Sequence, residues 1–202
     1  MIIRLHETID ALKKKGYKIF EGLFQLNIVG IRSADMTPNV FNDRLLVFWK
    51  DVDLSSPFKE KVWKITTDPG LYWLKNPSNV KGTAILFPGQ YEDVYAIDLH
   101  NKKYPALCQR LGDVKVYRDS NKDNRYDPDK TEIGRFGINI HKAGSNSSQV
   151  DKWSAGCQVF QKEKDFNDFM NLCKKHRAIH GNKFTYTLLN EADLIRIPEI
   201  RV

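Results

Sequence analysis

Hydrophobic positions along the chain change period twice. Ile2, Leu5, Ile9 and Leu12 recur at helical spacing, Lys13, Lys14 and Lys15 load the end of that stretch, and Gly16 stops it. This predicts an amphipathic helix over residues 2–16. From Leu23 the pattern becomes short apolar or alternating runs at 24–31, 44–49, 62–67, 82–87, 94–99, 114–117 and 137–140. Turn signals separate several of them: Asp68-Pro69-Gly70, Asn76-Pro77-Ser78, Pro88-Gly89 and Asp127-Pro128. After Cys157 the helical period returns over 164–176, with Phe166, Phe169, Met170 and Cys173 on one face, and 184–189 reads as a last strand. The pattern predicts a mainly β sandwich or barrel with flanking helices. The N-terminal helix, residues 1–22, is packed on or appended to a domain spanning 23–202, whose tail reads as a surface extension.

A chain of 202 residues buries enough apolar surface to fold without disulfides or metals. Its three cysteines, Cys108, Cys157 and Cys173, have neither CxxC nor zinc spacing. No run of eighteen apolar residues exists, so no membrane-spanning helix is expected. The first residues carry no signal-peptide pattern, so another route of export is expected for any role outside the cytoplasm. The net charge of +7 favours anionic partners such as nucleic acid, acidic lipid or cell-wall polymer. Lys and Arg are scattered, and no basic stripe with interleaved aromatics points to nucleic acid.

The chemistry concentrates in Gly137–Phe160. A short alternating run ends on His141, a polar loop follows, and Trp153-Ser154-Ala155-Gly156-Cys157 leads into Val159-Phe160. A thiolate is a strong nucleophile when a base stands beside it, and histidine is a suitable base near neutral pH. Gly156 permits a sharp turn, and the backbone N–H groups of Gly156 and Cys157 are candidates for an oxyanion hole. A backbone carbonyl, Asn139 or Ser145 is a candidate to orient His141. The plain alternative is a small buried cysteine and a structural histidine.

His141, a twelve-residue gap and Ser154-x-Gly156-Cys157 resemble the catalytic motif of the L,D-transpeptidase (YkuD-like) family, including its phage-associated relatives. The upstream segments 66–70, 82–86 and 88–91 fit the same resemblance, which covers roughly residues 24 to 175. It implies a β-rich cysteine enzyme on peptidoglycan stem peptides, with Cys157 as nucleophile, His141 as base, and Ser154 and Gly156 shaping the turn. With no export pattern at the start of the sequence, action on the wall after phage lysis, virion delivery or injection is expected, and a monomer is expected. The chain departs from the family in three ways. Its gap is shorter, Ala155 replaces the histidine before Gly-Cys, and Gln158-Val159 replaces the Arg or Asn after it. A non-catalytic wall-binding module stabilised by calcium is the alternative.

Two further sets remain. Asp119, Asn121, Asp123, Arg125 and Asp127 follow the alternate-position pattern of a calcium loop, without its glycine at Asn124 or its final glutamate at Lys130. A solvated Asx turn is the other reading. His100, Tyr104, Arg118 and Trp153 are candidates to contact substrate; for Arg118 the alternative is pairing with the acidic loop. His176 and His180 read as solvated groups at a basic helix end.

Overall fold

The computed structural model describes residues 1–127 and 130–194. The strands are β1 (Asn27–Arg32), β2 (Asp43–Trp49), β3 (Lys59–Thr66), β4 (Thr83–Leu86), β5 (Gly89–His100), β6 (Tyr104–Gln109), β7 (Val114–Asp119), β8 (Lys130–Gly134), β9 (Ile140–Lys142), β10 (Gln158–Phe160) and β11 (Phe184–Asn190). The helices are α1 (Leu5–Lys14), α2 (Leu71–Lys75) and α3 (Glu163–His180), and a 3-10 turn spans Glu191–Asp193. The rest of the predicted surface tail, and Pro128 of the Asp127-Pro128 turn signal, fall outside the described residues.

Eight strands close a barrel in the order β1-β11-β5-β6-β9-β10-β3-β2, and β4-β7-β8 form a separate small sheet. The expected β-rich architecture is therefore present, as a barrel plus a sheet. Closure leaves the barrel no free sheet edge. Within the barrel, β1–β11 and β9–β10 pair in parallel and the other neighbours pair antiparallel.

The continuous apolar run in β2 follows from cover on both faces. Leu45, Val47 and Trp49 point into the main core, while Leu46 and Phe48 join Val29 and Ile31 of β1 beneath α1. Leu5, Ile9, Ala11 and Leu12 bring α1 onto that outer face. The helix begins later than its apolar pattern, and Ile2 stands 81% exposed. On α3, Phe166, Phe169, Met170 and Cys173 enter the main core, with Phe169 against Phe160 and Trp63. Inside the barrel, Gly30 clears the way for Tyr186: a Cβ there would stand 1.8 Å from the Tyr186 hydroxyl oxygen. That hydroxyl donates to Gln158 Oε1 at 2.8 Å.

The solvated reading of His176 is corrected. Its Nδ1 accepts the Leu26 backbone N–H at 3.0 Å, and its Nε2 faces the Lys183 carbonyl at 3.2 Å, so it stays buried and neutral. Burial and the neighbouring His180 push it down to about 4. The folded chain then binds fewer protons than the unfolded one below the ordinary value of 6.5, so stability drops as pH falls from there toward 4. His176→Leu is expected to lower stability at pH 7 by about 1–3 kcal/mol, because it strands the Leu26 N–H. It should also flatten the acid-side loss. Thermal melts from pH 7 to pH 4 measure both.

Candidate active site

The parallel ladder of β9 and β10 builds the site. Gln158 aligns with Ile140 and Val159 with His141, which brings Cys157 alongside Asn139. The Asn139 N–H points at Cys157 Sγ at 3.4 Å, and the thiol faces the Gly137 carbonyl at 3.5 Å. Among the described residues these are the thiol's hydrogen bonds, and none joins it to His141.

The turn before β10 is tied from several sides. Ser154 Oγ donates to the Cys157 carbonyl at 2.8 Å and accepts the Gly156 N–H at 3.1 Å. The Gly70 N–H donates to the Ser154 carbonyl at 2.9 Å. From the barrel side, Gln158 Nε2 donates to the Gly156 carbonyl at 3.3 Å. Gly156 has φ +117, and a Cβ on it would stand 2.3 Å from the Ala84 carbonyl oxygen. Glycine is therefore required on conformational and steric grounds. One expectation changes: the Gly156 N–H is spent on Ser154, so of the two expected oxyanion donors only the Cys157 N–H has no acceptor among the described residues.

His141 is 3% exposed. Its Nδ1 lies 2.8 Å from the Lys142 carbonyl, so the proton of the neutral ring belongs on Nδ1 and Nε2 carries the lone pair. Of the candidates to orient this histidine, a backbone carbonyl fills the role. Tyr104 donates its hydroxyl to the same carbonyl at 3.3 Å and lies 3.5 Å from Nδ1. Ser145 is elsewhere; its carbonyl accepts the Glu163 N–H at the start of α3.

Asn139 takes a different part. Its Oδ1 accepts the Gln109 N–H at 2.9 Å, which turns its Nδ2 toward His100 Nδ1 at 3.1 Å. That bond keeps His100 Nδ1 unprotonated. The His100 ring stacks on His141 with centroids 4.0 Å apart and planes 18° from parallel. Ala155 offers no imidazole at the turn, and the second imidazole of this cluster comes from the end of β5. His100, Tyr104, His141 and Cys157 thus gather around Asn139. Each of these residues is a candidate by sequence, but the stacking of His100 on His141 and its bond to Asn139 are not readable there, because β5, β6 and β9 meet only through long-range pairing.

Electrostatics follow from burial. Desolvation and the adjacent His100 push His141 down to about 3. Desolvation pushes the Cys157 thiol up to about 11 against the Asn139 N–H, which favours the thiolate. Burial also lowers His100, helped by Arg110 and Lys103, and raises Tyr104 to about 12. At neutral pH the resting site is a thiol beside an imidazole, both uncharged.

The remaining predicted residues lie apart from this cluster or at its rim. Trp153 is 46% exposed, just before Ser154. Arg118 is buried, with Nε on Glu132 of β8 at 2.8 Å, Nη1 on the Gly82 carbonyl at 3.1 Å, and its guanidinium over Phe136. Its partner is therefore the small sheet rather than the acidic loop. In that loop, Asn121 Nδ2 donates to Asp123 and Asp127, Asp123 Oδ1 accepts the Arg125 N–H, and Asp119 Oδ2 faces the Asp127 N–H at 3.4 Å. Among the described residues no group of three or more His, Cys, Asp or Glu side chains stands ready to hold an ion. Cys108 and Cys173 are buried packing residues.

No protein-family model, curated protein or solved structure matches the chain.

The uncharged pair makes a direct prediction. Alkylation of Cys157 by iodoacetamide, followed by peptide mass spectrometry, should accelerate about tenfold per pH unit between pH 7 and pH 10. A rate that levels off below pH 8 would mean that the thiolate already forms at neutral pH.

Proposed function

We propose that this chain is a cysteine acyltransferase or peptidase acting on peptidoglycan stem peptides through a Cys157 thioester. The observation that carries the reading is the β9–β10 register, which sets a tautomer-fixed His141 on β9 and Cys157, with an unspent N–H, at the residue just before β10. The family resemblance of the His141…Ser154-x-Gly156-Cys157 pattern supplies the substrate class, and a net charge of +7 suits an anionic wall. Among the described residues no helix is long and apolar enough to cross a membrane.

In this mechanism Cys157 Sγ attacks the scissile carbonyl carbon as its proton passes to His141 Nε2. Both groups start uncharged, so the transfer accompanies attack rather than preceding it. The thiol first exchanges its contact with the Gly137 carbonyl for one with Nε2, a tightening that substrate binding has to bring about. The developing oxyanion takes the Cys157 N–H. The imidazolium at His141 is held by the Lys142 carbonyl at Nδ1, and it returns the proton to the leaving amine as the C–N bond breaks. The thioester then passes to an amine, giving transpeptidation, or to water, giving hydrolysis.

A second reading, a non-catalytic wall-binding module, is favoured by one observation: the thiol is held up to about 11 without a hydrogen bond to His141. Incubation with muropeptides separates the two. Wild type should remove a terminal residue or add an amine, and Cys157→Ala should do neither, read by mass spectrometry. Unchanged muropeptides with wild type would leave the binding module as the account.

A structural calcium ion belongs to the same proposal. Asp119 is raised by burial and by repulsion from Asp127 and Asp123, a cost that a divalent cation would relieve. Asp119, Asn121, Asp123 and Asp127 would hold it with side-chain oxygens and Arg125 with its carbonyl. Asn121 now places its amide hydrogens between Asp123 and Asp127, so binding requires that amide to turn its oxygen inward. Thermal melts should show a higher midpoint in calcium than in chelator; equal midpoints would remove the ion.

A further inference from the structure

His100 ends β5 and lies flat on His141, with ring centroids 4.0 Å apart and planes 18° from parallel. The polar contacts of His141 gather at one atom: Nδ1 meets the Lys142 carbonyl at 2.8 Å and the Tyr104 hydroxyl at 3.5 Å. Bonds at a single atom leave a ring free to swing about them. The face of His100 removes that freedom and fixes the plane of the His141 ring.

The protonation state of His100 is set by its own partner. The Gln109 N–H holds Asn139 Oδ1 at 2.9 Å, so Asn139 Nδ2 donates to His100 Nδ1 at 3.1 Å. The proton of the neutral ring therefore sits on Nε2, which lies 3.1 Å from the Asn101 side-chain amide. A second proton, on Nδ1, would meet the amide hydrogens of Asn139 head-on. Relief requires Asn139 to turn its oxygen to His100, which sets Nδ2 against the buried Gln109 N–H, donor against donor. Asn139 reaches the thiol as well. Its N–H points at Cys157 Sγ at 3.4 Å, and its carbonyl accepts the Gln158 N–H at 2.9 Å. In the barrel ladder β6 and β9 pair at Leu107 and Ile140, so the Gln109–Asn139 bond is a second tie between these segments.

The titratable and charged groups that face His100 are Lys103 in the β5–β6 turn, Tyr104 on β6, Arg110 just after it, and His141 on β9. Asp98 on β5 pairs with Arg110 at 2.6 Å. Burial first, then Arg110 and Lys103, lower His100 from the ordinary histidine value of 6.5. His100 is nonetheless the outer of the two rings, 9% exposed against 3% for His141, and is the first to take a proton as pH falls.

We propose that His100 is a positioning residue through which pH governs the site: neutral, it holds the His141 ring in plane, and protonated, it turns Asn139 away from Gln109 and bars His141 from accepting a proton. The consequence for turnover rests on the Cys157 chemistry proposed above; the coupling of His100, Asn139 and His141 does not.

The test is an NMR titration of the full chain with nitrogen-labelled histidine rings, from pH 8 to pH 4. At pH 8 His100 should carry its proton on Nε2 and His141 on Nδ1. His100 should then titrate below 6.5, and the Gln109 and Cys157 backbone amides should move with its midpoint while His141 stays neutral. His100→Phe keeps a flat ring and cannot take a proton, so that shared step should vanish from both amides. The His141 ring signals should stay sharp in His100→Phe and broaden in His100→Ala, which removes the stacked face. On muropeptides, wild-type kcat/KM should fall about tenfold per pH unit below the same midpoint, and His100→Phe should lose that limb. The inference is overturned by a proton on His100 Nδ1 at pH 8, by amides that ignore the His100 midpoint, or by a shared step that survives in His100→Phe; where the variants do not fold, the wild-type titration decides. Muropeptides left unchanged by wild type at every pH overturn the functional reading alone, because the spectra need no turnover.

Discussion

The parallel pairing of β9 with β10 is the constraint on which the site depends. Each strand is three residues long, too short to hold register by itself. A parallel pair also needs a crossover, here the loop from Ala143 to Cys157, whose ordering opposes the pairing. The register holds because polar groups fasten both ends. Ser154 closes the turn on the Cys157 carbonyl, Gln158 pins it from inside the barrel, and Tyr186 holds Gln158 through the space Gly30 leaves. Because a one-residue slip reverses every side chain, these bonds decide whether the thiol and the imidazole share a neighbourhood at all.

The same burial that fixes the geometry sets the electrostatics. A thiol and an imidazole brought out of water without a strong counter-charge both favour their neutral forms. His100 adds to this, because a second imidazole stacked at 4.0 Å penalises a cation on either ring. Asn139 joins the two halves of the cluster. Its backbone N–H meets the thiol and its side chain sets the His100 tautomer, so a shift of β9 is felt at both. A site built this way separates positioning from activation. The protein supplies position at rest, and a bound carbonyl would have to supply the charge that draws the proton across.

What could be recognised in the sequence divides along local and non-local lines. The strands covering β1, β2, β4, β7 and β11 were legible because apolar residues dominate strands buried on one or both faces. β8 was not, since Lys130, Thr131 and Ile133 face solvent on the edge of the small sheet. β6 was obscured by Pro105, a residue that normally argues against a strand. It is tolerated because β6 meets β9 only at Leu107, which leaves Pro105 no ladder partner on that side. At the site, the Ser154-Ala155-Gly156-Cys157 turn was visible because glycine and serine act within a few residues. The roles of Asn139, Gln158 and Tyr186, and the stacking of His100, depend on partners 28 to 41 positions away or on a change of strand, as in Tyr186 to Gln158 and His100 to His141.

Charge shows why composition alone misleads. The excess of Lys and Arg describes the average surface, where each cation is hydrated and separately screened. The groups that would select a ligand are the ones water does not reach. Arg32 spends its guanidinium on Asp68, Thr67 and Leu86, so its charge belongs to the scaffold and not to the surface.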